Sequence, residues 1–191
     1  MWQRILRLRE DENLVDVVPV KDVAQKPITV KVWGTISSNG VGTLVRYNNT
    51  MNSLKYRDTL NEYLFQDYPM LLNSRMEEED SPDQLPSFIF MQDKSSSHTA
   101  KIIRRWGDEN EVNLMKWPSN SPDLNIIENV WAYVQDRLYD VREQLNSPED
   151  TWQKALEIWT NIPLSYIQDL YNDLPLRMKE LKNMKGGPIP H

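Results

Sequence analysis

Two carboxylates stand out in this chain for where the sequence pattern puts them. Asp93 ends the apolar run Ser87-Phe88-Ile89-Phe90-Met91-Gln92-Asp93, and Glu128 falls within the first two turns of a helix expected to begin at Ser121-Pro122. Such a run reads as a buried strand, and the C-terminal tip of a buried strand in an α/β protein faces a crevice. An acid in either place has two readings. It caps or solvates the end of its element, or it offers a hard oxygen ligand or an acid–base group to a site. With no Cys, and with His98 and His191 as the only histidines, thiolate zinc, iron–sulfur, disulfide and histidine-rich metal chemistry are excluded. Any metal must be held by oxygen.

The elements that would carry these acids follow from periodicity. Residues 28–36 alternate apolar and polar with many β-branched side chains, Ser38-Asn39-Gly40 supplies turn chemistry, and residues 41–47 resume the extended pattern, which predicts a β-hairpin. Tyr56, Leu60, Tyr63 and Leu64 recur at helical spacing, so residues 53–65 are expected to form an amphipathic helix. Residues 67–86, with the acidic run Glu77-Glu78-Glu79-Asp80, read as a long solvated loop. After the strand ending at Asp93, residues 97–106 are expected to be helical with Gly107 as the stop, and residues 112–117 to hold a short strand. The stripe Ile127, Trp131, Val134 and Leu138 marks the long helix after Ser121-Pro122. Ser147-Pro148-Glu149-Asp150 starts another, and Ile167, Leu170, Tyr171 and Leu174 continue in a further helix after Pro163. Residues 1–27 read as a lead-in of one short strand, Trp2–Leu8, and a loop. Strands alternating with helices give an α/β or α+β class built on one mixed sheet.

The chain has 191 residues and a net charge of −6, room for one sizeable core. No apolar run approaches the roughly 18 residues of a membrane span, and charges interrupt residues 1–10 where a signal peptide would be apolar. The acidic balance argues against a free-standing nucleic-acid binder.

Several ordered segments together resemble one family. Gln92-Asp93 with His98-Thr99-Ala100, then Trp117-Pro118 and Ser121-Pro122-Asp123-Leu124-Asn125 with Ile127-Glu128-Asn129 and Trp131, are similar to the catalytic domain of Tc/mariner-type DNA transposases. The 34 residues between Asp93 and Glu128 match the interval one branch uses between its second and third catalytic carboxylates. Val32-Trp33-Gly34, Met51-Asn52-Ser53 with Tyr56, Trp159 with Ile162-Pro163, Pro175 with Arg177, and Lys185-Gly186-Gly187-Pro188 extend the likeness from about residue 28 to the end. The resemblance implies an RNase H-like fold in which a mixed sheet, flanked by helices, gathers three acids around two Mg²⁺ (or Mn²⁺) ions. It makes Asp93 the central and Glu128 the third catalytic acid and metal ligand, with His98 and Asn125 in support or in plain structural hydrogen bonds. Lys101, Arg104, Arg105 and Lys116 flank that site, either to meet DNA phosphates or as a solvated helix face. The implied chemistry is DNA transposition and integration by in-line displacement at phosphorus. The implied partners are transposon-end and target DNA and a homo-oligomer or transposase subunits, without a membrane and in the nucleus.

The sequence departs from the family in ways that set expectations. The first catalytic Asp and its strand are expected upstream of Met1, so that residues 28–191 form a partial, N-terminally truncated catalytic domain without the central first strand and without the helix-turn-helix DNA-binding region. That accounts for the acidic charge. Trp2–Leu8 substitutes in the sheet, or another chain does, or the domain is marginal. Asp11 is the one replacement acid on offer. Lys94 stands where the family has Asn and sets a cation beside the metal position, and Ile126 replaces a Pro. Transposition is expected to be weak or lost, with a non-catalytic relic that binds DNA or intact transposase subunits as the alternative.

Overall fold

The structure is a computed structural model that describes residues 3–7, 28–67, 89–117 and 124–183. The hairpin forms where alternation predicts it. Strand β2 (Thr29–Ser37) and strand β3 (Gly40–Tyr47) pair antiparallel around Ser38-Asn39, with Ser37 opposite Gly40. Gly40 has φ +130°, a conformation only glycine adopts freely. Strand β1 (Gln3–Arg7) pairs antiparallel with the other edge of β2, Gln3 opposite Trp33 and Arg7 opposite Thr29. Within the segment Trp2–Leu8, Gln3–Arg7 is described as a strand of this sheet.

The period of two along β2 divides the core. Val30 and Val32 face one way, into a cluster with Leu44, Val130, Trp131, Val134, Trp159 and Ile167, whereas Trp33 faces the other way, among Tyr56, Leu60, Phe90, Ile103 and Trp106. Helices therefore cover both faces. On the first lie α3 (Ile127–Asp140), α4 (Pro148–Thr160) and α5 (Leu164–Asn172), continued by α6 (Leu174–Asn183). On the second lie α1 (Ser53–Thr59), which widens into a π-helical turn over Leu60–Leu64, and α2 (Lys101–Glu109). Capping follows the residue types: the Asn52 side chain accepts from Lys55 N–H, and Ser147 Oγ accepts from Asp150 N–H while Asp150 accepts from Asn146 N–H.

Several expectations are corrected. The expected single mixed sheet is described as two pieces, the antiparallel β1-β2-β3 sheet and a parallel pair, β4 (Ile89–Phe90) with β5 (Asn113–Leu114). Ile89, placed by sequence in a buried strand, is 61% exposed, whereas Phe90 is buried. Gly107 does not stop α2. It lies inside the helix, where a Cβ would sit 2.9 Å from Leu114 Cδ1, so its role is to let β5 approach. The stop is Glu111, in the left-handed region at φ 54°. Helix α3 begins at Ile127, not at Ser121-Pro122, with Asn125 C=O taking Glu128 N–H at 2.9 Å. Residue 67 belongs to a helical stretch that continues through 65–67 rather than to the loop. Asp11, the Glu77–Asp80 run, Ser121-Pro122 and the Lys185–Pro188 tail lie outside the described residues.

Gly34 marks the closest helix–sheet approach. The Trp131 and Trp159 rings stack at 5.0 Å, and a Cβ on Gly34 would lie 2.9 Å from Trp159 Cη2 and 3.2 Å from Trp131 Cη2. Both rings are buried, and Trp159 is held further by its Nε1–H, which donates to Gly42 C=O at 2.7 Å. Gly34→Ala is expected to destabilise by about 2 kcal/mol through overpacking, read as a lowered urea midpoint with altered near-UV tryptophan signal; an unchanged midpoint would refute this packing.

Candidate active site

The site starts from a local turn. Asp93 follows β4 by three residues, and its Oδ1 accepts Ser95 N–H at 3.0 Å, an Asx-turn that ends the extended run. Ser95 C=O then accepts His98 N–H and Thr99 N–H, both at 3.0 Å, and Thr99 Oγ1–H at the same length. This second turn folds His98 back until its Nδ1 makes a short hydrogen bond to Asp93 Oδ1. Sequence adjacency thus suffices to join the acid and the imidazole.

What fixes the imidazole comes from farther away. His98 is 1% exposed, and the Tyr56 ring of α1 lies against it at 4.0 Å between centroids. Tyr56 O–H donates to Gln92 Oε1 at 2.8 Å, and Gln92 Nε2–H donates to His98 C=O at 3.2 Å. Burial, the largest influence, pushes His98 below its usual range against the pull of Asp93, so the ring is neutral at pH 7 and donates its Nδ1–H. Burial also works to raise Asp93, but the hydrogen bonds from His98 and Ser95 outweigh it and hold the carboxyl below its usual range. Burial drives the Tyr56 hydroxyl well above the usual tyrosine range, with the Asp93 charge adding to it. At neutral pH the arrangement is therefore a carboxylate, a neutral imidazole and a neutral phenol.

Asp93 opens onto a cleft of about 340 Å³ whose lining includes Lys94, His98, Arg104, Lys116 and Trp117. The four basic residues expected to flank the acid are all exposed. Arg104 of α2 and Lys116 beyond β5 reach this cleft, together with Lys94, whereas Lys101 and Arg105 are not among its lining residues. Three cations around one carboxylate favour an anion such as a phosphate diester in the space between them.

The other expected residues are placed less centrally. Glu128 sits half-buried in the first turn of α3 and is not among the residues lining this cleft. Asn125 is 1% exposed, and neither its Nδ2 nor its Oδ1 has a hydrogen-bond partner, a costly arrangement for a buried amide. Among the described residues there is no group of three or more His, Asp or Glu arranged to hold a metal ion. Sequence reasoning missed Gln92 and Tyr56 as parts of the site, although both stand inside the segments that carried the resemblance. It also missed Asp67, a buried carboxylate that takes Thr35 Oγ1–H at 2.8 Å, Thr43 N–H at 2.7 Å and Thr43 Oγ1–H at 2.7 Å. No local pattern distinguishes Asp67 from the acids of a loop. Among the described residues no helix is long and apolar enough to cross a membrane.

Comparison with known proteins gives this geometry its family. A model described as DDE superfamily endonuclease matches residues 16–150. The transposable element Tcb1 transposase of Caenorhabditis briggsae is 31% identical over 163 residues, which cover 85% of this chain and 55% of that protein. The chain spans about half the length of the curated relatives it matches. Solved structures that share the fold include two of the Mos1 transposase. The Mos1 transposase catalytic domain with Raltegravir and Mg gives a TM-score of 0.64 at 18% identity, covering 86% of this chain and 78% of that one. The Mos1 transposase paired-end complex with left transposon end gives 0.71 at 17% identity, covering 98% and 55%. An acid at the tip of a strand, a sheet with helices on both faces and a family match over most of the length lead to one conclusion: the chain belongs to the DDE superfamily endonucleases, as a catalytic domain of the Tc1/mariner transposase type with an RNase H-like fold.

Proposed function

We propose that this chain takes part in metal-dependent cleavage and transfer of DNA strands as a transposon-derived catalytic domain, and that it is weakly active when it acts alone. The observation that carries the reading is Asp93, held at the strand tip in a cleft rimmed by Lys94, Arg104 and Lys116. A carboxylate suits a hard divalent cation, and the three cations suit the phosphates on either side of a scissile bond.

The donor set fits one such cation. Asp93 Oδ1 is engaged by His98 and Ser95, which leaves Oδ2, and Mg²⁺ (or Mn²⁺) is commonly held by one or two carboxylates with substrate phosphate and water. A pair of ions does not fit on the described residues, which lack a cluster of three acids or histidines. When bound, the ion would activate a water or a 3′-hydroxyl and offset charge on the departing oxygen. The chain's own residues do the rest. Asp93 would hold the cation, Arg104 and Lys116 would hold the phosphate, and Trp117 walls the cleft. Glu128 is assigned as the second carboxylate on its motif and its spacing from Asp93.

The first acid is assigned to a further strand beside the described sheets. Among the described residues, the separation of β1-β2-β3 from β4-β5 and the 61% exposure of Ile89 on β4 support a further strand between them. In this reading residues 28–191 form the catalytic part and DNA sequence is read by a separate helix-turn-helix unit. The partners are transposon-end and target DNA and further transposase subunits, in the nucleus; the Mos1 complex with a transposon end supports this by family. The lack of a three-acid cluster among the described residues favours a second reading, a relic that binds DNA or transposase subunits without cutting.

The test is nicking of supercoiled plasmid by the purified chain in Mn²⁺, beside Asp11→Asn, Asp93→Asn and Glu128→Gln. Slow nicking that disappears in the Asp93 and Glu128 variants is expected, and its loss in the Asp11 variant would identify that residue as the replacement acid. An intact plasmid with salt-sensitive DNA retention would select the second reading. Nicking indifferent to Asp93 and Glu128 would remove both from the site.

A further inference from the structure

Asp93 is reached by a chain of buried groups that begins on another helix. Tyr56 is fully buried, Gln92 is 8% and His98 1% exposed. The Tyr56 hydroxyl donates to Gln92 Oε1 (2.8 Å), the Gln92 amide donates to the His98 carbonyl (3.2 Å), and the Tyr56 ring lies on the His98 imidazole (4.0 Å). His98 Nδ1 then meets Asp93 Oδ1. Each link fixes a different freedom. The carbonyl bond sets the His98 backbone, the tilted phenol ring against the imidazole restrains its plane, and the imidazole sets the carboxylate.

The tautomer of His98 is fixed twice over. A carboxylate can only accept, so the proton belongs on Nδ1. Nε2 is buried without a partner, and a bare ring nitrogen is tolerated there better than an N–H that has lost water. A proton on Nε2 would break the Asp93 bond and leave a buried donor unpaired at the same time.

We propose that Tyr56 and Gln92 are positioning residues that, through a single tautomer of His98, lock the Asp93 carboxylate with Oδ1 occupied and Oδ2 presented to a divalent cation. The last clause rests on the metal-dependent reading above, whereas the lock itself does not. A histidine held between a carboxylate and buried polar groups is how proteins orient ligands from one shell further out, and removing such outer partners typically costs 10–100-fold in metal affinity. Here the oriented ligand is the carboxylate.

The chain contains only His98 and His191, so its imidazole nitrogens are resolved by long-range ¹H–¹⁵N spectroscopy. In the parent chain at pH 7.5, without metal or DNA, one histidine is expected to be a pure Nδ1–H tautomer, and His98→Asn assigns it by loss of that signal. Tyr56→Phe keeps the ring but frees the Gln92 amide from the bond that holds it on the His98 carbonyl, so the His98 backbone should loosen enough for water to reach Nε2, and the pure tautomer should become an exchanging mixture. Added Mg²⁺ alone should shift the His98 nitrogens in the parent chain, with a midpoint about tenfold higher in Tyr56→Phe. Gln92→Leu is the second variant should Tyr56→Phe not fold. A parent His98 protonated on Nε2, or a Tyr56→Phe spectrum and Mg²⁺ midpoint identical to the parent's, would overturn the proposal. A pure Nδ1–H tautomer that depends on Tyr56, in a chain whose spectrum ignores Mg²⁺, would confirm the lock and refute the cation reading instead.

Discussion

Asp93→Asn is expected to reduce metal-dependent nicking by about 10³-fold while leaving the fold intact. The asparagine keeps an oxygen that accepts from Ser95 N–H and His98 Nδ1–H, the two bonds now made by Asp93 Oδ1, so the turn and the imidazole stay in place. What is lost is the charge. The side chain is 13% exposed, and a cation at such a semi-buried site gains far more from a carboxylate than from an amide. Several kcal/mol of charge stabilisation at the reacting phosphate depends on that cation, and about 4 kcal/mol corresponds to 10³ in rate. Plasmid nicking in Mn²⁺ reads the rate, and urea denaturation reads the fold. A folded Asn variant that nicks as fast as the parent would show that Asp93 holds no metal.

Asp67→Ala is expected to cost about 4 kcal/mol of stability, the largest effect foreseen for any substitution away from the cleft. The carboxylate is 6% exposed at the end of the first helical stretch, where a negative charge meets the unfavourable end of the helix dipole. It is retained because three donors from the hairpin converge on it: Thr35 Oγ1–H, Thr43 N–H and Thr43 Oγ1–H, at 2.7–2.8 Å. Gly42 makes the approach possible, since a Cβ there would lie 2.4 Å from Asp67 Oδ2. Truncation strands the buried Thr35 hydroxyl and leaves the two part-buried Thr43 donors without their acceptor, and each loses a charge-assisted bond. Asp67→Asn should cost less, because one oxygen still accepts. Urea unfolding of both variants checks the order; a loss below about 1 kcal/mol in the alanine variant would mean that the helix end is not pinned to the hairpin.

These two acids differ in how far the sequence exposes them. Asp93 is legible because its position is a local fact: an apolar run ends, an Asx-turn follows, and His98 lies five residues on. The hairpin, with its period of two and a two-residue turn, and the helix capped by Ser147 are legible for the same reason. The helix starts were harder. Ser121-Pro122 has the chemistry of an N-terminus, yet α3 begins at Ile127, because propensity marks a permissible start and packing selects the one used. Gly107 reads as a stop by composition and is instead a gap kept open for Leu114. The basic residues divide in the same way. Four cations fall close together in sequence, but only Arg104 and Lys116 of them line the cleft with Asp93.

The sequence alone determined the α/β class and the family resemblance, restricted any metal to oxygen ligands, and singled out Asp93 as the candidate on which the proposed site is built. Each depends on composition or on neighbours within one or two turns of chain, where backbone preference and side-chain periodicity act directly. Only the tertiary structure decided that Tyr56, 36 residues before Gln92, completes the shell around His98, and that Asp67 is a buried anchor held by Thr35 and Thr43, 32 and 24 residues before it. Those contacts form where a helix and a strand far apart in the chain are pressed together by burial of Trp33, Leu60 and Ile103. Burial has no direction of its own, so which polar groups meet is settled by how those apolar side chains pack.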